Sequence, residues 1–187
     1  MRRWRLRAVE VLGCLLVLGV VGAAIASQTA AHWLAWNFTA SEPRGLYFLE
    51  TNPPEVRRGD LVVFCPSAAV IAEAPAGALR PGACPQGMAP HLKRLVAIAG
   101  DAVVVDGDGV RVNGRQIEGS RPLLRPGLRG PKGKFRGWRR VLKPGEILCL
   151  GEHPRSYDGR YYGPIRGPLL GKAKGLWTWT STSSPGR

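Results

Sequence analysis

The sequence predicts a mainly β fold, in which a domain of short antiparallel strands follows one N-terminal transmembrane helix. The 187 residues include 25 glycines and 16 prolines, which interrupt the chain too often for long helices. Short apolar runs rich in β-branched residues lie between these interruptions, as is typical of strands. A hydrophobic content of 44% is enough for a core and excludes a wholly disordered chain.

Residues 1–34 predict a cytoplasmic basic tip and a membrane anchor. Four arginines precede Val11–Ala26, a run of 16 residues without a charge. A helix over residues 8–31 would span about 36 Å, and the hydrocarbon core of a bilayer is about 30 Å thick. By the positive-inside rule, the four arginines place the amino terminus in the cytoplasm. We therefore expect the chain to cross the inner membrane once and to expose residues 35–187 in the periplasm. The alternative is a cleaved signal peptide, because Ala24–Ala26 resembles an A-x-A cleavage site.

The sequence of the exported domain, residues 35–187, predicts a series of strands separated by turns. The turns carry glycine, proline, asparagine or aspartate, which favour short connections and antiparallel pairing. In chain order the strand-forming runs are GLYFLE (45–50), LVVFC (61–65), HLKRLVAIAG (91–100), VVV (103–105), VRV (110–112), VLKPGEILCLGE (141–152) and GKAKGLWTWT (171–180).

Two cysteines bound a loop rich in alanine, proline and glycine, residues 66–89. In an exported domain, Cys65 and Cys84 are expected to form a disulfide that closes this loop. A zinc site is less favoured, because His91 is the only further ligand nearby. The sequence therefore predicts neither a metal nor a cofactor.

The chain carries a formal net charge of +14, which suits nucleic acid, anionic lipid or an acidic partner. The sequence has no zinc-finger spacing and no aromatic RNA-binding motif, so dedicated nucleic-acid binding is not expected. Residues 121–140 hold eight Lys or Arg and no acid, and they predict a basic loop. This loop is either solvated or in contact with the anionic headgroups of inner-membrane lipid.

A serine in the segment TASEPRGLYFLE, residues 39–50, is the first candidate for catalysis. Ser41 is a weak nucleophile that needs a base within reach and donors for the oxyanion. The three histidines are more typical of surface residues than of a base. A lysine acts as a base only when burial lowers its pKa. Lys93 meets this requirement if the strand face that it shares with Leu95 and Ala97 is buried, and otherwise it is a surface lysine.

Five short motifs in a fixed order extend over most of the exported domain: SEPRGLY, GDLVVF, LKRLVAIAGD, VNG and SYDGRYYGPI. Together they make the sequence resemble the signal peptidase family of Ser-Lys serine proteases. Within the family, the chain most resembles the TraF-type proteases of conjugative transfer, because proline follows the serine by two positions and Gly45 and Tyr47 come next. The cysteine-bounded loop is also similar to that group.

The resemblance implies that Ser41 is the nucleophile and Lys93 the general base. It also implies that the hydroxyl of Thr39 and the backbone N–H of Ser41 support the oxyanion hole, and that Ser156 orients the lysine ammonium. The implied reaction is acyl transfer through an acyl-enzyme. Release by water gives hydrolysis, whereas release by the substrate's own amino terminus gives a cyclic product.

Two further residues match the family, and two stretches depart from it. Asp158 and Arg160 match an acid and a base that brace the site, and Asp158 is either an ion-pair partner or a catalytic residue. Glu42 stands where the family usually has methionine, so the way in which this loop meets the membrane or the substrate is not explained. GEHPR, residues 151–155, replaces the family's Gly-Asp-Asn-Arg, so the match begins at Ser156.

The resemblance implies a membrane-bound serine endopeptidase that matures or cyclises an exported, pilin-like precursor. The alternative among enzymes is a general type I signal peptidase, against which the Ser-x-Pro spacing argues. The alternative from another class is an inactive, membrane-anchored β-domain whose basic loop binds DNA or a partner in a secretion apparatus.

Overall fold

The computed structural model describes residues 13–21, 34–51, 53, 55–123, 135 and 137–179. These residues form two antiparallel sheets and short helices, so the expected mainly β fold is confirmed. Residues 13–21 are helical, and most of the remaining predicted anchor lies outside the described residues. In the part of the chain that is described, no helix is long and apolar enough to span a membrane.

Antiparallel strands make up both sheets. In chain order they are β1 (Leu34–Asn37), β2 (Arg44–Glu50), β3 (Leu61–Phe64), β4 (His91–Ala97), β5 (Ala102–Asp106), β6 (Gly109–Val112), β7 (Arg115–Gln116), β8 (Trp138–Val141), β9 (Glu146–Leu150), β10 (Ile165–Arg166) and β11 (Gly171–Trp179). The larger sheet has the order β1-β2-β11-β3-β4-β9-β10, and the smaller sheet has the order β7-β6-β5-β8. β4 therefore lies inside the larger sheet, between β3 and β9.

The side chains of β4 alternate between two faces, as the two-residue period of a strand requires. Lys93, Leu95 and Ala97 lie on the buried face. In the sheet register, Val62 of β3 is opposite Lys93, and Cys149 of β9 is opposite Leu95. Val62, Leu95 and Cys149 belong to one apolar cluster. The lysine thus extends from a strand whose buried face is otherwise apolar.

The smaller sheet packs an apolar face against the end of the larger one. Val103 and Val105 of β5 and Val110 and Val112 of β6 bury their side chains in a core that also contains leucines of β9. The predicted hairpin of these two strands is confirmed by their antiparallel register. Asn113, at the predicted Asn-Gly turn, has a φ of 50°, a conformation that asparagine tolerates better than most residues.

The cysteine-bounded loop, residues 66–89, is more ordered than its composition suggests. A disulfide joins Cys65 to Cys84, the pair expected from the sequence. A short helix, Ala68–Ala72, follows the first cysteine, and its Val70 packs against tyrosines from the segment after β9. The loop is therefore held against the part of the chain that carries the candidate site.

The structure corrects the end of the predicted basic loop, residues 121–140. Its last residues belong to β8, which is paired with β5 at the edge of the smaller sheet. Trp138 is half-buried, whereas Arg139 and Arg140 are exposed. An edge strand tolerates exposed charges, which is why a basic stretch forms a strand here. Residues 124–134 and 136 of the basic loop lie outside the described residues.

Candidate active site

The turn between β1 and β2, residues 38–43, carries the candidate nucleophile Ser41 and is called the nucleophile loop below. The amide of Asn37, at the end of β1, organises this loop. Its Nδ2 donates to three carbonyl oxygens of the loop at 3.0 to 3.1 Å, and its Oδ1 accepts from the backbone N–H of Thr39 at 3.0 Å. Asn37 was not among the predicted site residues, although asparagine before a turn often bonds the backbone in this way.

The hydroxyl groups of Thr39 and Ser41 lie side by side, with 3.0 Å between their oxygen atoms. Oγ1 of Thr39 also donates to Oδ1 of Asn37 at 2.8 Å. Because a threonine hydroxyl has a single proton, the Ser41 hydroxyl is the donor in its contact with Thr39. Thr39 thus holds Ser41 in one resting orientation, and its role in an oxyanion hole stays a prediction.

Lys93 is enclosed by the protein and is 5% exposed. Its Nζ donates to Oγ of Ser156 at 2.8 Å, which is the contact expected of a residue that orients the ammonium. Burial lowers the pKa of Lys93, because the ammonium loses its hydration, and the nearby carboxylates of Asp158 and Glu42 oppose this effect. A lysine whose pKa is lowered has more neutral amine at physiological pH and is better suited to accept a proton.

Asp158 and Arg160 form a buried ion pair. Nε and Nη2 of Arg160 donate to the two carboxylate oxygens at 2.9 and 2.5 Å. Asp158 also accepts from the N–H of Gly151 at 2.8 Å, and Arg160 donates to the carbonyl oxygens of Gly151 and His153 at 3.0 and 3.2 Å. The pair therefore braces the backbone of residues 151–153. These contacts support the ion-pair interpretation of Asp158, and its catalytic role stays a prediction.

The segment after β9, residues 151–158, is called the Ser156 loop, and it touches the nucleophile loop at Gly151. A Cβ on Gly151 would lie 2.3 Å from Oγ of Ser156 and 2.9 Å from the carbonyl oxygen of Ser41. The N–H of His153 donates to the same Ser41 carbonyl at 3.4 Å. Only glycine fits this close approach of the two loops. Sequence patterns miss this role, because a single glycine after a strand is typical of any turn.

A cavity of about 1040 Å³ brings the candidate residues together. Ser41, Lys93, Ser156 and Thr39 all line it, as do residues 75–81 of the cysteine-bounded loop. Asp158 and Arg160 are not part of the lining and are almost completely buried. The structure therefore separates the predicted site residues into four that face a shared space and two that support the backbone behind it.

Glu42, the residue that the resemblance does not explain, points into the protein and is 1% exposed. Its Oε1 accepts from the backbone N–H of Glu152 at 3.3 Å. Burial raises the pKa of Glu42 to about 7, although the positive charge of Arg94 opposes this rise. The glutamate thus contacts the Ser156 loop instead of solvent.

Histidine also lines the cavity, and the described residues offer no cluster of ligands for a metal. His91 lines the cavity, and its ring packs against Phe64 and Tyr162. Burial lowers the pKa of His91 to about 4, which makes its imidazole a weak base. Across the described residues, no three His, Cys, Asp or Glu side chains are grouped so that they could hold a metal ion. The disulfide removes the cysteines that a zinc site would have used.

Comparison with known proteins identifies relatives along most of the chain. A family model described as "Signal peptidase, peptidase S26" matches residues 5–179. A "Probable conjugal transfer protein TraF" of Sinorhizobium fredii is 34% identical over 171 residues, which cover 88% of this chain and 89% of the relative. A "Plasmid transfer protein TraF" of Escherichia coli is 33% identical over 167 residues, which cover 87% of this chain and 93% of the relative.

Among solved structures, the chain is similar to a signal peptidase I from Enterococcus faecalis, with a TM-score of 0.36 and 18% sequence identity. The similarity covers 63% of this chain and 96% of that chain. The family match spans the described strands, from β1 to the end of β11, and both relatives are matched over most of their length. The chain therefore belongs to the signal peptidase family, peptidase S26.

Proposed function

We propose that the protein is a membrane-bound serine endopeptidase in which Ser41 is the nucleophile and Lys93 the general base. One observation carries the proposal: Lys93 is buried, is hydrogen-bonded to Ser156 and lines the same cavity as Ser41. Membership of the signal peptidase family supports a serine peptidase. Together they favour a Ser-Lys dyad over a Ser-His arrangement.

The proposed reaction begins when the neutral amine of Lys93 takes the proton of Ser41. The serine oxygen attacks the carbonyl carbon of the scissile peptide bond, and the backbone N–H of Ser41 and the hydroxyl of Thr39 stabilise the oxyanion. The proton passes to the leaving amine, which departs and leaves an acyl ester on Ser41. Water or the substrate's own amino terminus then attacks the ester, which gives a linear or a cyclic product.

The proposed location is the inner membrane, with residues 1–34 as the anchor and the catalytic domain in the periplasm. The disulfide between Cys65 and Cys84 supports an oxidising compartment for this domain. An enzyme held in this way would meet an exported precursor where it emerges from the bilayer.

The proposed substrate is a pilin-like precursor of a conjugative system. The relatives from Sinorhizobium fredii and Escherichia coli are described as conjugal and plasmid transfer proteins, which supports a role in conjugation. The cavity has room for an extended peptide, and residues 75–81 of the cysteine-bounded loop form part of its wall.

The test is processing of a candidate pilin precursor that is co-expressed with the full-length protein. Wild type should convert the precursor to its mature form, whereas Ser41→Ala and Lys93→Ala should leave it intact. Lys93→Arg is the informative variant, because arginine keeps the positive charge but does not act as a base at physiological pH. It should also be inactive.

Lys174→Ala provides the matched control, because it removes a lysine whose side chain is exposed on β11. It should process the precursor as wild type does. Intact mass of the product distinguishes a cyclic from a linear product, because the cyclic one is lighter by one water. Full processing by Ser41→Ala or Lys93→Arg would contradict the proposed dyad.

A further inference from the structure

We propose that Glu42 is a positioning residue of the Ser41–Lys93 site, whose side chain fastens the nucleophile loop to the Ser156 loop and whose charge acts on Lys93. This inference rests on the proposed function, since it concerns how the dyad is held and tuned. It assigns a role to the residue at which the chain departs from the methionine usual in the family.

The mechanical part of the inference follows from two neighbouring contacts. Oε1 of Glu42 accepts from the N–H of Glu152 at 3.3 Å, and the carbonyl of Ser41 accepts from the N–H of His153 at 3.4 Å. Two consecutive residues of the nucleophile loop thus bond two consecutive residues of the Ser156 loop. The Ser156 loop also supplies the hydroxyl that holds Nζ of Lys93. Glu42 therefore helps to fix the nucleophile relative to its base.

The electrostatic part begins with the second oxygen of the same carboxyl group. Oε2 of Glu42 is buried, and no hydrogen-bond donor reaches it among the described residues. Nη2 of Arg94 is 3.6 Å away, but the same guanidinium group is 2.7 Å from Oε1 of the Glu152 side chain. A buried carboxylate with an incomplete set of partners is unfavourable. This geometry agrees with a pKa of about 7 for Glu42, which burial raises.

Four titratable or charged groups from three elements act with Glu42. Arg94 and Lys93 come from β4, Glu152 from the Ser156 loop and Tyr47 from β2. Arg94 and Lys93 favour the carboxylate form of Glu42, and Glu152 opposes it. In return, the carboxylate raises the pKa of Lys93 against the effect of burial. The two groups therefore titrate as a coupled pair.

The sign of the effect on activity follows from this coupling. Lys93 must be neutral to accept the proton of Ser41, so activity rises as pH rises through its pKa. A charged Glu42 stabilises the ammonium and delays this rise. Removal of the charge alone should therefore move the acidic limb of the pH profile to lower pH. The variant should exceed wild type by about threefold or more on the part of the limb that lies above pH 7, because Glu42 carries its charge there.

The variants Glu42→Gln and Glu42→Met separate the electrostatic part of the inference from the mechanical part. Glutamine keeps an oxygen that accepts from the Glu152 N–H, so its kcat on the alkaline plateau should stay within about twofold of wild type while the acidic limb moves. Methionine removes both the acceptor and the charge. Its acidic limb should move in the same direction, and its plateau kcat should fall about fivefold with little change in KM, as expected for one lost hydrogen bond.

A direct titration of Lys93 provides a readout that needs no substrate. NMR of the side-chain methylene carbons of isotope-labelled lysine follows the protonation of Lys93 in the full-length protein in detergent micelles, and Lys93→Ala identifies the signal. The titration midpoint should move to lower pH in Glu42→Gln. Glu50→Gln, which removes an exposed carboxyl at the end of β2, is the matched control and should leave the midpoint unchanged.

The outcomes separate this inference from the proposed function. Identical Lys93 titrations in wild type and Glu42→Gln would overturn the electrostatic part, and an unchanged plateau in Glu42→Met would overturn the mechanical part. Processing by Ser41→Ala would instead defeat the proposed function. A shifted titration together with a shifted acidic limb supports the inference.

Discussion

The ion pair of Asp158 and Arg160 shows how residues that do not line the cavity hold the backbone of the site in place. Both side chains are removed from water, and each charge is balanced by the other. Asp158 also accepts from the N–H of Gly151, and Arg160 also donates to the carbonyl oxygens of Gly151 and His153. An arrangement of this kind is sensitive to the loss of one partner, because the other charge would stay buried without compensation.

Arg160→Met tests this support, because it keeps the length of the side chain and removes its charge. We expect the free energy of unfolding to fall by about 3–5 kcal/mol, since the Asp158 carboxylate would be buried without its partner. Urea unfolding of the full-length protein, followed by tryptophan fluorescence, measures the change. Arg57→Met, which breaks an exposed pair with Glu55, is the control and should have no measurable effect. Wild-type stability of Arg160→Met would show that the pair is not a brace.

Residue types limited which site residues could be predicted. Lys93 stands out in the sequence, because a charged residue in an otherwise apolar strand needs a reason. Ser41 was a candidate from its own loop, whereas Thr39, Ser156, Asp158 and Arg160 entered only through the family resemblance. Asn37 and Gly151 were not predicted, because their roles depend on contacts with backbone that only the folded loops bring near. The burial of Glu42 also depends on the fold.

At the scale of elements, the meeting of the nucleophile loop and the Ser156 loop determines the geometry of the site. Each loop lies next to a strand of the larger sheet, so its position is set by β1 and β2 on one side and by β9 on the other. Gly151 lies at a close contact between them, where a Cβ would be 2.9 Å from the Ser41 carbonyl oxygen. A small change in the distance between the loops would therefore move Ser41 relative to Ser156 and Lys93.

Gly151→Ala tests this contact. The added methyl group would lie within 3 Å of both the Ser156 side chain and the Ser41 carbonyl, so the loops must separate. We expect kcat/KM for precursor processing to fall by about tenfold or more, because a misplacement of about 1 Å is sufficient for such a loss. Gly107→Ala is the control, since a Cβ there meets nothing within 4 Å. Wild-type activity of Gly151→Ala would contradict the account of the loop contact.

The strands that could be predicted were the longer ones with apolar runs. β2, β3, β4, β5, β6, β9 and β11 all lie within or largely within predicted runs. β7 and β10 have two residues each, which is too short for a pattern to be recognised. β8 was missed because its arginines suggested a solvated loop, although pairing with β5 decides its structure.

At the scale of the whole molecule, the site depends on strand order. Ser41 and Lys93 are 52 residues apart in the sequence, and the order β1-β2-β11-β3-β4 separates their strands by two others. A cavity nevertheless connects them, and the cysteine-bounded loop forms part of its wall. Sequence periodicity does not specify which strands become neighbours, so residue types alone left the pairing of Ser41 with Lys93 open, and the family resemblance favoured it.

The most direct test of the central claim is the formation of an acyl-enzyme on Ser41 at different pH values. Purified full-length protein is mixed with precursor and quenched in acid within the first turnover, and the peptide that contains Ser41 is analysed by mass spectrometry. Because burial lowers the pKa of Lys93 and only the neutral amine accepts the proton, we predict an adduct on Ser41 that forms faster as pH rises through that pKa. Lys93→Arg should form none. Acylation at another residue, or equal rates in wild type and Lys93→Arg, would contradict the Ser-Lys dyad.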